Sequence, residues 1–531
     1  MNGARFPRSD AFVALLLLAL ALAVAAEAQG PPPDDLVAAG RRLYREGRLA
    51  SGEAVGALVQ GDVPVLGTQM TCQSCHGRSG MGAIESGRIP SALTGPVLFA
   101  PDAQRRRPAY DERTLARALR EGVDSAKRPI DPLMPRFRLS DRDVAALAAY
   151  LRQLGSAPPP GVGPTSLRVA TLVAGDVAGD VQQAMLDVIE AFVADRNRSG
   201  PQRLRGGHAP NQPKETFREW SLDVWRVGGP PATWRAQLDA QYRERPVFAL
   251  VGGVASETWQ PIHDFCESVQ MPCLLPDADL PPADDGSFYS LYYSRGLRLE
   301  AEITAAALAA EGLAANVTAV VEGGQGSPSR EAAAVLARAL EQRGGRMRTL
   351  DARSGSGPDA ALARAMRDGI SAIVLWLKTD GVRRFASNLE TGGGAPPLFL
   401  SATLLAWRWE GLPTDVRSRA KAVHLSSLPG EPDPALERFR AWARARGLRI
   451  REERHQAHAY FACLAFAEGT KHMGRFMSRD YLLDLLDHAS SLTAYLPLYL
   501  RAGMTPGQRV LSRGGYVIDL SGRLKPVWVV P

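Results

Sequence analysis

The sequence predicts two unlike folded units in series, a small all-α unit followed by a larger α/β unit. Helical spacing of apolar residues marks the first: Leu36, Leu43 and Tyr44 within Asp35–Arg45, and Val144, Leu147, Ala148, Leu151 and Leu154 beyond Ser140. Pro158-Pro159-Pro160-Gly161 then breaks the chain, because no helix continues through such a run. From Leu167 the pattern changes to short apolar runs alternating with amphipathic segments, as a parallel sheet covered by helices requires. The expected divisions are 1–28, 34–156, 157–166 and 167–531.

The first division is a leader. Arg5 and Arg8 precede an uninterrupted apolar run from Ala11 to Ala26, and Ala26-Glu27-Ala28 supplies a small-x-small cleavage pattern before Gln29. Export with removal of this segment is the expectation, and its retention as an anchor is the competing one. No later segment is long and apolar enough to span a bilayer, so the mature chain is expected to be soluble. The net charge of +7 is spread over 531 residues. Arg105-Arg106-Arg107 lacks interleaved aromatic residues and runs into Pro108, which points to a solvated loop and away from nucleic-acid binding.

In the small unit, a first helix over Asp35–Arg45 is followed by a Gly-rich insertion between Gly47 and Thr68. Then comes Cys72-Gln73-Ser74-Cys75-His76. Two thiols separated by two residues can each form a thioether to one porphyrin, and the adjacent imidazole can reach its iron. A redox dithiol would sit beside a βαβ pattern, and a zinc site needs a second ligand pair. Neither accompanies these residues, so the expected cofactor is one covalent haem c. Thr114–Arg120 gives a short helix, Asp131-Pro132-Leu133-Met134-Pro135 a stiff loop, and Ser140 caps the last helix.

This order of helix, attachment motif, methionine loop and helix resembles class I c-type cytochromes. The resemblance implies that His76 is the proximal iron ligand and Met134 the distal one, and that the unit transfers electrons. Met70 and Met81 flank the motif too closely to cross to the other haem face. Arg88, Ile89 and Pro90 fall where such proteins line a haem edge, Arg88 being a candidate partner for a propionate. Tyr44 and Leu151 are expected where the terminal helices cross.

In the larger unit, strands are expected at Leu167–Val173, Val247–Val251, Met271–Leu275, Val317–Val321, Ala372–Leu377 and Pro397–Leu400. Helices are expected at Val181–Asn197, Arg298–Glu311, Ser329–Arg343, Gly381–Glu390 and His455–Met473. The segments Ala249–Glu257, the helix before Val317, and Ala372–Phe385 resemble type I periplasmic binding proteins of the branched-chain amino-acid transporter kind. That resemblance implies two α/β lobes with a ligand cleft between them. Loops at the carboxyl ends of strands then nominate Gly253, Ala255, Ser256, Asp277, Glu322, Trp376 and Thr403. Backbone N–H groups at a helix start near Ser256 would hold a carboxylate. The plainer reading makes Ser256 a helix cap and Trp376 core.

Cys266 and Cys273 are close enough in sequence for a local disulfide, and Cys463 falls on an apolar helix face. His455 and His458 are three apart on a helix without an evident carboxylate partner. No nucleophile elbow or nucleotide-binding fingerprint occurs. The combined expectation is a periplasmic electron carrier, not an enzyme, whose second unit docks a redox partner such as a dehydrogenase or senses a small organic ligand. The alternative is a solute receptor with an accessory haem; a haem peroxidase would need an open sixth site.

Overall fold

In the computed structural model the chain divides after Ala157 into two compact units. The structure describes residues 34–82, 90–205, 217–282, 286–324, 326–352, 369–386, 395–428, 430–488, 499 and 508–531. The leader read at 1–28, Arg88, Ile89, and residues 387–390 at the end of an expected helix lie outside them.

The small unit is held by the crossing of its first helix, Asp34–Glu46, with its last, Asp141–Gln153. Gly40 permits the crossing, since a Cβ there would stand 2.0 Å from the Ala146 carbonyl oxygen. Beside it the rings of Tyr44 and Tyr150 meet at 5.4 Å. Leu43, Leu115, Leu119, Leu147 and Leu151 complete a buried core, each worth about 1.5–3 kcal/mol relative to exposure. The Tyr44 hydroxyl donates to the Gly77 carbonyl at 2.7 Å, tying the first helix to the turn behind the Cys-x-x-Cys-His motif. Ser140 caps the last helix as expected: its Oγ accepts from Asp143 N at 3.2 Å, while the Asp143 carboxylate accepts from Ser140 N at 2.9 Å.

The unit is not all-α. The insertion after Gly47 forms an antiparallel hairpin, β1 (Gly56–Val59) and β2 (Val63–Leu66). A third strand, β3 (Arg136–Phe137), pairs with β1 in the order β2-β1-β3. Gln60 at φ 55° and Gly61 at φ 97° make the hairpin turn. Four-residue strands give alternation too short to stand out in a sequence, and β3 gains its partner only through folding.

The larger unit contains two sheets. The first joins β4 (Ser166–Ala174), β5 (Glu219–Val227), β6 (Ala249–Val251), β8 (Cys273–Leu274) and β9 (Ser290–Leu291) in the order β5-β4-β6-β8-β9, with β7 (Val254–Ala255) against β4. The second joins β10 (Val317–Val321), β11 (Met347–Asp351), β12 (Ala372–Trp376), β13 (Leu398–Ser401) and β14 (Ala420–His424) in parallel, in the order β11-β10-β12-β13-β14. β15 (Gly515–Asp519) and β16 (Val527–Val529) then extend it antiparallel, which departs from a purely parallel expectation. Every residue of β10 and β12 is buried, the signature of strands covered on both faces. Cys266 and Cys273 form a disulfide, and Cys463 is a buried free thiol. Among the described residues no helix is long and apolar enough to cross a membrane.

Candidate functional site

Cys72–His76 is a single short helical turn. Thr71 opens it: its Oγ1 accepts from Ser74 N at 3.1 Å, and Ser74 Oγ returns a bond to the Thr71 carbonyl at 2.6 Å. Helical spacing puts Cys72 and Cys75 on one face, and both are free, half-buried thiols. His76 follows, and Gly77 at φ 72° ends the turn.

The imidazole is oriented from behind. His76 Nδ1 donates to the Ser91 carbonyl at 2.9 Å, which leaves Nε2 with its lone pair available. Burial lowers its pKa, against the opposing pull of the Ser91 bond, and favours the neutral form that binds a metal. Burial also pushes the Cys72 thiol up to about 12, the reverse of what a redox dithiol needs. Beside Cys72 lies an apolar pocket lined by Leu43, Met70, Leu119, Phe137, Leu139 and Leu147. Met134 packs on the same core as Cys72, while Met70 lines the pocket itself. Two thiols on one face, an imidazole presenting Nε2 and an apolar wall fit a covalent haem c.

The methionine loop is braced by backbone bonds. Met134 N donates to the Asp131 carbonyl at 3.0 Å, and Gln60 N, in the hairpin turn, donates to the Pro132 carbonyl at 3.0 Å. The insertion therefore holds the Met134 loop.

In the larger unit the expected cleft residues scatter. Trp376 is core, only 1% exposed. Ala255 pairs with Ala174 inside the first sheet. Ser256 does not start a helix: the next one begins at Gln260, so neither the anion-holding N–H groups nor a Ser256 cap exists there. The stretch Thr258-Trp259 intervenes as loop, and the Pro at position 261 suits the first turn of a helix opening at 260. The Glu322 carboxylate accepts from Lys378 N at 3.0 Å, linking the loops after β10 and β12. Gly253 accepts at its carbonyl from Asp277 N at 2.8 Å and has no room for a side chain, a Cβ there lying 2.9 Å from the Trp259 ring. Only Asp277 and Thr403 meet at one cavity, shared with Tyr293, Ser294, Arg454, His458 and Tyr499.

That cavity is built around an ionic cluster. Arg454 Nη2 bonds Asp277 at 2.8 Å and Asp279 at 2.5 Å, and its Nη1 donates to the Thr403 carbonyl at 3.1 Å. The histidine pair does have a carboxylate partner, contrary to expectation: His455 Nδ1 is 2.5 Å from Asp277 Oδ2. His458 Nδ1 stands 3.0 Å from Asp277 Oδ1, within ion-pair distance but off the hydrogen-bond line. Burial opposes ionisation of Asp277, yet Arg454, His458 and His455 outweigh it and hold the carboxyl well below its usual range. The Tyr293 hydroxyl donates to the His458 carbonyl at 2.6 Å, and the Tyr499 hydroxyl lies 3.0 Å from His458 Nε2. Arg454, Tyr293 and Tyr499 escaped sequence reading; for Arg454 the available signal was the run of polar residues on the buried side of helix Glu453–Lys471. Among the described residues no His, Cys, Asp and Glu cluster suits a metal ion.

Next to this cluster Glu300 accepts from Ser401 Oγ, Thr403 N (3.1 Å) and Thr403 Oγ1 (2.7 Å). Burial lifts its pKa from 4.5 to about 7, against those hydrogen bonds. The folded chain thus keeps a proton that the unfolded chain has lost, and stability falls as pH rises between those values. Glu300→Gln should raise the denaturant midpoint of the larger unit at pH 8 and lose that advantage by pH 5. Equal shifts at both values would contradict the assignment.

Residues 65–155 match the family model of cytochrome c. No curated protein matches the chain. Among solved structures, the fatty acid ABC transporter substrate-binding protein from Thermomonospora curvata is similar with a TM-score of 0.50 at 15% identity, over 70% of this chain and 94% of that one. A branched chain amino acid ABC transporter structure from Thermus thermophilus, with bound valine, is similar with a TM-score of 0.50 at 14% identity, over 68% of this chain and 96% of its own. At such identities the likeness is one of fold.

Proposed function

We propose that this chain, a cytochrome c domain joined to a type I periplasmic binding-protein fold, is an exported carrier of single electrons through one haem c. The observation that carries the reading is the His76 imidazole, fixed through Nδ1 by Ser91 so that Nε2 is presented beside two free thiols. Bound there, a haem supplies an Fe(III)/Fe(II) couple. Cys72 and Cys75 would hold it through their sulfurs, and His76 Nε2 and the Met134 thioether would serve as its iron ligands. A thioether favours the reduced metal and raises the potential. With His76 and Met134 both engaged, the group would favour outer-sphere electron transfer over oxygen chemistry, so that the chain would act as a carrier and not as an enzyme. The donor is a redox protein of the same compartment, a periplasmic dehydrogenase.

The larger unit serves to dock that partner. Its fold is shared with solute-binding proteins, which favours the second reading, a receptor for a small organic molecule with an accessory haem. Against that, Arg454 is already paired with Asp277 and Asp279 at the cavity where Asp277 and Thr403 meet, and the other nominated cleft residues lie elsewhere. The oxidised, matured protein is expected to show the weak near-infrared methionine-to-iron band, and Met134→Ala to lose it. Survival of the band in that variant removes Met134 as a ligand. Failure of reduced candidate dehydrogenases to reduce the protein on a catalytic timescale removes the proposed donor.

A further inference from the structure

We infer that Arg136 is the positioning residue for the methionine loop: its guanidinium gathers the carbonyls of Ile130, Asp131 and Met134 and so fixes where the Met134 sulfur stands. The inference rests on Met134 being the distal ligand.

Inside the loop, Leu133 N and Met134 N both donate to Asp131, at 3.0 Å each. Pro132 and Pro135 carry no N–H, so two of the five residues from Asp131 to Pro135 contribute no donor to an internal network. Arg136 adds donors from outside. Nη1 donates to the Met134 carbonyl at 2.5 Å, and Nη2 donates to the Ile130 carbonyl at 2.9 Å and the Asp131 carbonyl at 3.3 Å. Among the described residues no carboxylate pairs with this guanidinium, whose contacts are spent on the loop backbone. A planar, delocalised cation with several fixed donors can serve three carbonyls at once, which an ammonium on a flexible stem does not match.

The surroundings are shaped for it. Gly122 ends helix Glu112–Glu121 in the left-handed conformation, φ 72°. A Cβ there would lie 2.1 to 2.3 Å from Arg136 Nε, Cζ and Nη2, so the guanidinium fills the space that a side chain would occupy. Gly122 also accepts at its carbonyl from Ile130 N at 2.8 Å, which closes the loop from the other end. The Arg136 backbone is pinned opposite Leu58 by the β1–β3 pairing.

The experiment uses the full-length matured holoprotein and three variants, Arg136→Met, Arg136→Lys and Met134→Ala. For Arg136→Met the near-infrared band per haem should fall, and the reduced form should bind carbon monoxide at neutral pH. The six-coordinate state should be disfavoured by roughly tenfold, the worth of one charge-assisted hydrogen bond. Arg136→Lys should fall between the parent and Arg136→Met. A merely structural arginine would lower the melting temperature and leave the band per haem and the carbon monoxide affinity unchanged; that result overturns the inference. If Arg136→Met does not mature, Gly122→Ala displaces the guanidinium while keeping it, and an unchanged band there overturns the inference equally. Met134→Ala separates the two levels. A band surviving in Met134→Ala defeats the ligand assignment itself, whereas its loss there with retention in Arg136→Met defeats only the role of Arg136.

Discussion

Replacing both Cys72 and Cys75 by serine should abolish covalent haem, leaving no pigment in the protein after acid-acetone extraction. The parent, expressed with haem-maturation machinery, should keep its colour through the same treatment. The expectation follows from the turn at Cys72–His76, where both thiols are free and share one helical face, Cys72 lining the apolar pocket of Leu43, Leu119 and Phe137. A serine hydroxyl keeps the shape of that turn but forms no thioether. Single variants should retain one linkage and give reduced yields with a shifted haemochrome band. His76→Ala should keep the thiols but lose the ring nitrogen proposed as an iron ligand, which the Ser91 bond orients. A matured parent that is colourless, or that releases all its pigment to acid-acetone, would end the electron-carrier reading.

The second large effect concerns the other unit. Arg454→Met should cost the larger unit about 3–5 kcal/mol in denaturant unfolding, the usual penalty for removing one member of a buried ion pair. Both side chains are nearly inaccessible, Arg454 at 8% and Asp277 at 5%. Without the guanidinium, Asp277 stays buried with only the histidines to balance its charge. The double variant with Asp277→Asn should recover much of the loss, because the stranded charge is then gone. Acid gives an independent check. Since the folded pKa of Asp277 is depressed, its contribution is complete above the unfolded value of roughly 3.9 and disappears as pH falls through the lower folded value. The stability of the parent should therefore drop more steeply below pH 4 than that of Asp277→Asn. Parallel curves would show that Asp277 is not the ionised partner described above.

These two predictions rest on features of opposite legibility. The attachment turn is written within five consecutive residues, and the Ser140–Asp143 capping box within four, so each could be read before any fold was known. Arg454 and Asp277 are 177 residues apart, and Glu300 meets Thr403 across 103. No local spacing announces such partners; they meet because the loops after β8 and β13, which carry Asp277 and Thr403, fold against the helices that carry Arg454 and Glu300. The hairpin at 56–66 fell between these cases, for its alternation is real but only four residues long on each side. Ser256 misled because serine after Gly-Gly suggests a cap, while the chain runs on through β7 and a bend before turning helical at Gln260.

The first helix of the small unit has its packing surface in the last, and its Tyr44 hydroxyl closes the turn behind His76. In a chain that emerges with its N-terminus leading, Asp34–Glu46 appears early and must wait about a hundred residues for Asp141–Gln153 before it can dock. From the appearance of Cys72 and Cys75 until then, the two thiols stand on a segment whose closing helix pair has not yet formed, so the turn at His76 is fastened only when the last helix arrives.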